Sequence, residues 1–464
     1  MRMTLEFTSR NCWETYDSPK DAKALQALAV RYIDFISRCK TERETVEYVK
    51  ERLAKAGYSD SLKNDKFMRD LHGKTVFVAR RGSLPLSKGM RFIGAHGDTP
   101  RLDLKQRPIQ EQAGVGQAKT HYYGGIRKYQ WLARPLAIHG VIALQNGSTV
   151  SVVIGEDPKD PVFTIADLLP HLAKDQAEQP LAKAFAGERL NLILAHKPLA
   201  PKAARGKKAE EKSKEPVKAQ ILALLNERYG IVEEDLYSAE LQAVPAGPAR
   251  YVGLDKGLIG GYGHDDRICV FSALEALLDG RAKPGHTQCL VFWDKEEIGS
   301  EGSTGAKSRF FEYCVQDLMA AWEPKARFST VMMATKGISA DVHAAIDPDW
   351  QDLHEKLNAA TIGHGPCFCK FTGQGGKYEA NDAHPEYVAW LRKVLNAENI
   401  PWQMAELGKV DGGGGGTVAM YLAAYGMDII DCGPPVLSMH SPFELASAAD
   451  LYATVKAFAA FLKA

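Results

Sequence analysis

Apolar side chains recur at helical spacing along residues 21–58, first in DAKALQALAVRYIDFISRC and then in TERETVEYVKERLAKAGY, which predicts two amphipathic helices. The second opens with Thr41 and Glu44 in capping-box register and stops at Gly57. β-type runs follow, KTVFVARR and MRFIGAHGD, and the latter carries a His and an Asp just past its strand end. From about 102 to 245 the texture changes: LAIHGVIAL, STVSVVIGE and LNLILAHKPL read as short, half-alternating strands. After about 246 the two periods alternate. RICVFSALEALLDG, EYVAWLRKVLNAENI, TVAMYLAAYG and AADLYATVKAFAAFLKA read as helices, and TQCLVFW, FSTVMMAT and MDIIDCG as strands. That alternation implies an α/β fold, a largely parallel sheet covered by helices on both faces. In such sheets ligands collect beyond the carboxyl ends of the strands.

At 464 residues the chain is long enough for two domains, and 45% hydrophobic with 25% charged content is that of a globular protein. A formal charge of +1 provides no global field to gather nucleic acid or an anionic membrane, so neither is expected as a partner. No signal-like core or long uncharged apolar stretch is present, and a cytoplasmic protein is expected. The eight cysteines show no CxxC spacing and read as reduced, mostly buried thiols. PKAARGKKAEEKSKEPVK, 201–218, has seven basic and three acidic side chains and little to bury; a flexible surface loop is expected there.

The chemistry gathers at strand ends. FWDKEEIGSEGSTGA, 292–306, sets Glu296 beside Glu297 after an apolar run. His96 and Asp98, then His264, Asp265 and Asp266, then Asp341 and His343, and finally His440 stand at comparable junctions. Imidazoles and carboxylates without thiolates suit Zn²⁺, Co²⁺ or Mn²⁺. Several carboxylates at close quarters need a large positive charge to stay ionised. A pair of metal ions supplies it, with one carboxylate bridging and one unligated carboxylate taking a proton from the shared water. Adjacent side chains on an extended segment point apart, so Glu296 and Glu297 divide the work: one binds metal and the other faces the water.

In GAHGDTPRLDLK, KTHYYGGIRKYQW, GHDDR, WDKEEIGSEGSTGA, SADVHAA and LSMHSP, taken in this order over nearly the whole chain, the sequence resembles the dinuclear zinc aminopeptidases that comprise aminopeptidase I and aspartyl aminopeptidase. KTHYYGG and NERYGIVEEDLYSAEL are more similar to the bacterial aminopeptidase I branch. The resemblance implies metal ligands at His96, Asp265, Glu297, Asp341 and His440, with Asp265 bridging, Asp98 orienting His96, and Glu296 as general base. Asp266 stands where the family has asparagine, and the resemblance implies a cis peptide before it. It leaves His264 and His343 as supporting or structural residues. Lys370 and Tyr378 resemble substrate contacts, and His171 resembles a histidine inserted into a neighbouring subunit's site.

The same resemblance makes 1–101 with 246–464 a zinc exopeptidase-like catalytic domain. It makes 102–245 an inserted β-rich dimerisation domain and the assembly a tetrahedral dodecamer built from dimers. The implied cofactors are two divalent ions per subunit, zinc foremost, with cobalt or manganese as alternatives. The implied activity is removal of N-terminal residues from peptides. Two rivals stand beside it: a dinuclear carboxypeptidase or deacylase on the same cage, and a non-catalytic shell protein with a vestigial metal site. The glycine run DGGGGGTVAM, 411–420, lacks the GKS/T ending of a phosphate loop and reads as backbone approaching substrate ahead of a helix.

Overall fold

The computed structural model describes residues 5–200 and 213–464, so most of the charged stretch expected to be a loop, 201–212, lies outside the described residues. Two compact units emerge, 1–99 with 248–464, and 100–247. The larger unit is built on an eight-stranded mixed sheet whose centre is parallel: Thr287–Trp293, Met90–His96, Lys336–Ala340 and Asp428–Gly433 lie side by side in that order. Antiparallel strands flank this centre, Thr75–Arg80 on one side and Cys367–Cys369 on the other, with Lys66–Leu71 and Gln403–Met404 at the outer edges.

Every position of Met90–His96 and Thr287–Trp293 is buried. Period-2 alternation divides their side chains between two cores. Ile93, Ala95, Leu290 and Phe292 face the helices Pro19–Arg38, His264–Asp279 and Ala448–Lys463. Phe92, Val291 and Trp293 face Phe310–Trp322 and Phe328–Ala334. This is the signature of a sheet covered on both sides, where a near-continuous apolar run replaces simple in-out alternation. Register also fixes where the chemistry falls: Trp293 pairs with His96 and Ala340 with Cys432, so the parallel strands end together at one rim.

One local expectation needs correction. FSTVMMAT forms the helix Phe328–Ala334, and the strand comes later, at Lys336–Ala340. A short apolar run has no decisive period, and burial of Val331 and Met332 is served equally well by a helical turn. The capping box at Thr41 and Glu44 forms as read, opening the helix Glu42–Lys55.

The smaller unit holds a six-stranded antiparallel sheet in the order Thr149–Ile154, Leu136–Ala143, Ala239–Pro245, Arg101–Gln112, Val115–Tyr123 and Leu192–Ala195. Two of these, Arg101–Gln112 and Val115–Tyr123, are long and rich in charged and polar residues, which hid them from a hydrophobic pattern. All eight cysteines are buried free thiols. Among the described residues no helix is long and apolar enough to cross a membrane.

Candidate active site

The rim at the carboxyl ends of the parallel strands gathers the strand-end residues. His96 is the last residue of its strand, Asp341 follows Ala340, and Glu296 and Glu297 begin a short turn after Trp293. Asp265 lies one residue into the segment His264–Asp279, where the backbone at Asp265 and Asp266 is not yet helical, and the Asp265–Asp266 peptide bond is cis. His440 arrives from the turn after Pro435–Leu437 with a left-handed φ of 63°, unusual for a residue with a Cβ and sustained here by its neighbours.

These side chains meet. Asp265 turns Oδ1 toward His96 Nε2 at 3.3 Å and Oδ2 toward His440 Nε2 at 3.1 Å, so one carboxylate faces two imidazoles on opposite sides. His440 Nε2 also lies 3.4 Å from Glu297 Oε2. On the other side, His96 Nε2 is 3.9 Å from both Glu296 Oε2 and Asp341 Oδ1. His96, Asp265 and Glu297 each offer a donor atom within 4.8 Å of one another, and so do His96, Glu296 and Asp341.

Supporting contacts set the orientation. His96 Nδ1 points at Asp98, 3.1 Å from its carbonyl and 3.3 Å from Oδ1, and a proton donated there leaves the Nε2 lone pair aimed into the cluster. Asp98 also accepts the backbone N–H groups of Glu296 and Glu297, each at 3.2 Å. Asp266 Oδ2 accepts the His96 N–H at 3.3 Å. His264 is buried against Tyr32, with Nδ1 2.7 Å from the hydroxyl, and burial depresses its pKa to about 3. His343 lines the cavity and sets Nδ1 3.1 Å from the Ala344 carbonyl.

Glu444 was not anticipated. It is fully buried and accepts the N–H of Asp265 at 3.1 Å and that of His440 at 2.7 Å, tying two of the clustered residues to one carboxylate. The only sequence signal is its position four residues after His440, in MHSPFE.

The electrostatics describe a site short of positive charge. Burial pushes Glu297 and Asp341 well above the carboxylate range, with the Asp265 charge adding to each. Burial also pushes Glu296 up to about 7 against the opposing pull of His96. Asp265 goes the other way: burial resists its ionisation, but the imidazoles of His440 and His96 that face it outweigh that and hold it below the usual range. Asp265 Oδ1 and Glu297 Oε1 are buried without a hydrogen-bond donor. A crowd of inward-facing oxygens with lone pairs to spare, joined by two imidazoles, fits divalent cations.

The cluster closes one end of a cavity of about 410 Å³. Its walls are the strand Cys367–Cys369, the loop from Phe371 to Lys377 and the glycine-rich segment 406–417. The glycines let those two loops stack: a Cβ on Gly414 would stand 2.1 Å from the Gly373 carbonyl oxygen, and the Gly373 N–H donates to the Gly415 carbonyl at 2.7 Å. Lys370 and Tyr378 are not among the lining residues. Lys370 Nζ pairs with Asp382 at 2.8 Å, a carboxylate it shares with Lys377 at 3.1 Å, and Tyr378 is 75% exposed. His171 stands in the smaller unit, exposed in the turn Pro170–Leu172.

Comparison with known proteins identifies a family. Residues 35–462 match the family described as aminopeptidase I zinc metalloprotease (M18). A probable M18 family aminopeptidase 1 of Clostridium acetobutylicum is 46% identical over 466 residues, covering 98% of each chain. The crystal structure of an M18 family aminopeptidase from Thermotoga maritima superposes with a TM-score of 0.91 at 42% identity, covering 99% of this chain and 100% of that one. At 21% identity, a Saccharomyces cerevisiae aminopeptidase solved as a dodecamer shares the fold with a TM-score of 0.75, covering 95% of this chain and 97% of its own.

Proposed function

The chain belongs to the aminopeptidase I zinc metalloprotease family and is a metalloaminopeptidase, and from that premise we propose that it works through two divalent ions with Glu296 as the general base. The observation that carries this reading is the stance of Asp265, whose two oxygens address His96 and His440 separately. Asp341 and His96 would complete one site, and Glu297 and His440 the other. Two divalent ions held there supply Lewis acidity and make water acidic enough to deprotonate near neutral pH.

The rest falls to the chain's own side chains. Of the two adjacent glutamates Glu296 is the more open, 16% exposed in its side chain against 4% for Glu297, which supports giving Glu296 the water and Glu297 the metal. Glu296 accepts a proton from the attacking water and returns it to the leaving amine. Burial raises this carboxyl, the direction that favours holding the proton in transit. The expected outcome for Glu296→Gln is a turnover loss of roughly 10²–10⁴-fold with metal content unchanged, checked by elemental analysis beside steady-state rates; normal turnover would remove the base assignment.

The smaller unit is read as a dimerisation domain, and the assembly as a dodecamer in which His171 completes a neighbour's site. Its six-stranded sheet and the exposure of His171 accord with that reading. Eight free buried thiols accord with a reducing, cytoplasmic location. Lys370 and Tyr378 remain substrate contacts in this proposal, which requires Lys370 to leave Asp382 when a peptide binds.

A further inference from the structure

Next to the turn that carries Glu296 and Glu297 lies a second set of charges. Glu42, the first residue of the helix Glu42–Lys55, is fully buried. Asp294, which follows the strand Thr287–Trp293 and begins the turn bearing Glu296 and Glu297, is 1% exposed. Between these carboxylates sits the ammonium of Lys74, its side chain 11% exposed, 3.1 Å from Glu42 Oε1 and 3.4 Å from Asp294 Oδ2. Lys295 adds a second ammonium on Asp294 at 2.8 Å, but from a more open position, 27% exposed. Thr304 donates its hydroxyl to Asp294 Oδ2 at 2.8 Å.

The turn being held is strained. Lys295, Gly299 and Ser300 all adopt left-handed φ values, of 68°, 91° and 60°, and two of the three carry a Cβ. Such a turn persists when its surroundings over-determine it. The other side of the clamp reaches the metal cluster by a different route. The helix that begins at Glu42 packs on the turn after His96: a Cβ on Gly97 would meet Thr45 Cγ2 at 3.5 Å and Glu42 Cα at 3.7 Å. One cation therefore ties the segment holding His96 and Asp98 to the segment holding Glu296 and Glu297.

We propose that Lys74 is a positioning residue for hydrolysis: by bridging Glu42 and Asp294 it fixes the turn that presents Glu296 and Glu297 to the water and the metals. The inference rests on the roles given to those glutamates above. Without Lys74 the ammonium shared by these two buried carboxylates is lost, Lys295 remains on Asp294 alone, and the turn loses its tether to the helix that begins at Glu42.

The test is a set of metal-loaded variants assayed on an aminoacyl chromogenic substrate. Lys74→Met is expected to lower kcat on the order of 10²-fold while KM stays within about threefold and metal per chain is unchanged; Lys74→Arg, which keeps the charge, is expected to recover to within about tenfold of the parent. Should Lys74→Met fail to fold, Glu42→Gln cuts the tether while leaving Lys74 on Asp294, and is expected to lower kcat in the same direction with KM held. A kcat change below about threefold in the folded variants overturns the proposal. So does a loss that tracks lost metal and is not recovered by arginine. Failure of the underlying reading is separable, since it shows as normal turnover in Glu296→Gln whatever Lys74 does.

Discussion

Asp450 shows how a single buried carboxylate can be read for its consequences. Its oxygens accept the N–H groups of Gly363 at 2.6 Å and Gly365 at 2.7 Å, and burial lifts it from 3.8 to about 7 in spite of those bonds. A carboxyl whose folded pKa lies above its unfolded one stabilises the fold at low pH, and that contribution is lost as pH rises through the folded value. Asp450→Asn does not titrate, so the stability of the parent relative to this variant is expected to fall between about pH 4 and 7; thermal melts of both across that range check the sign. At this scale the clustered side chains were legible because imidazoles and carboxylates recur at strand ends. Glu444, Asp294 and Lys74 were not legible, since their roles depend on neighbours far along the chain: Glu444 on the Asp265 amide, Lys74 on Glu42 and Asp294.

The strand Asp428–Gly433 sets the position of Asp341 from the side. The Asp341 N–H donates to the Cys432 carbonyl at 3.3 Å, and a Cβ on Gly433 would lie 2.0 Å from the Asp341 carbonyl oxygen. Gly433→Ala forces those strands apart, with an expected cost of about 1–3 kcal/mol and weaker metal retention because Asp341 shifts; melting temperature and metal-to-chain ratio measured together check it. Elements with a strong period were legible: the capping box at Thr41, the closing helix Ala448–Lys463, and the buried run TQCLVFW. FSTVMMAT was misread because a short apolar run satisfies a helix and a strand alike. Arg101–Gln112 and Val115–Tyr123 were missed because charges on a long antiparallel strand erase the apolar signal by which strands are found.

For the whole molecule, the sequence carried the order of the motifs and the change of texture near 102 and 245, while the sheet order in either unit required coordinates. In the proposed assembly the chain's chemistry extends past one copy. If His171 completes a neighbouring site, His171→Ala is expected to lower kcat/KM by about 10- to 100-fold while metal content and sedimentation stay those of the parent. Mixing His171→Ala with Glu296→Gln should then restore part of the activity, because each copy supplies what the other lacks; velocity sedimentation and rates on the mixture check both halves.

Asp98 grips the acidic pair by its main chain, taking the amide hydrogens of Glu296 and Glu297 and leaving their side chains untouched. The path of that loop is thus indifferent to what positions 296 and 297 carry. A designer can exchange the group at 296 while both amide bonds to Asp98 stay available, so a change in rate at unchanged metal content reports on that group.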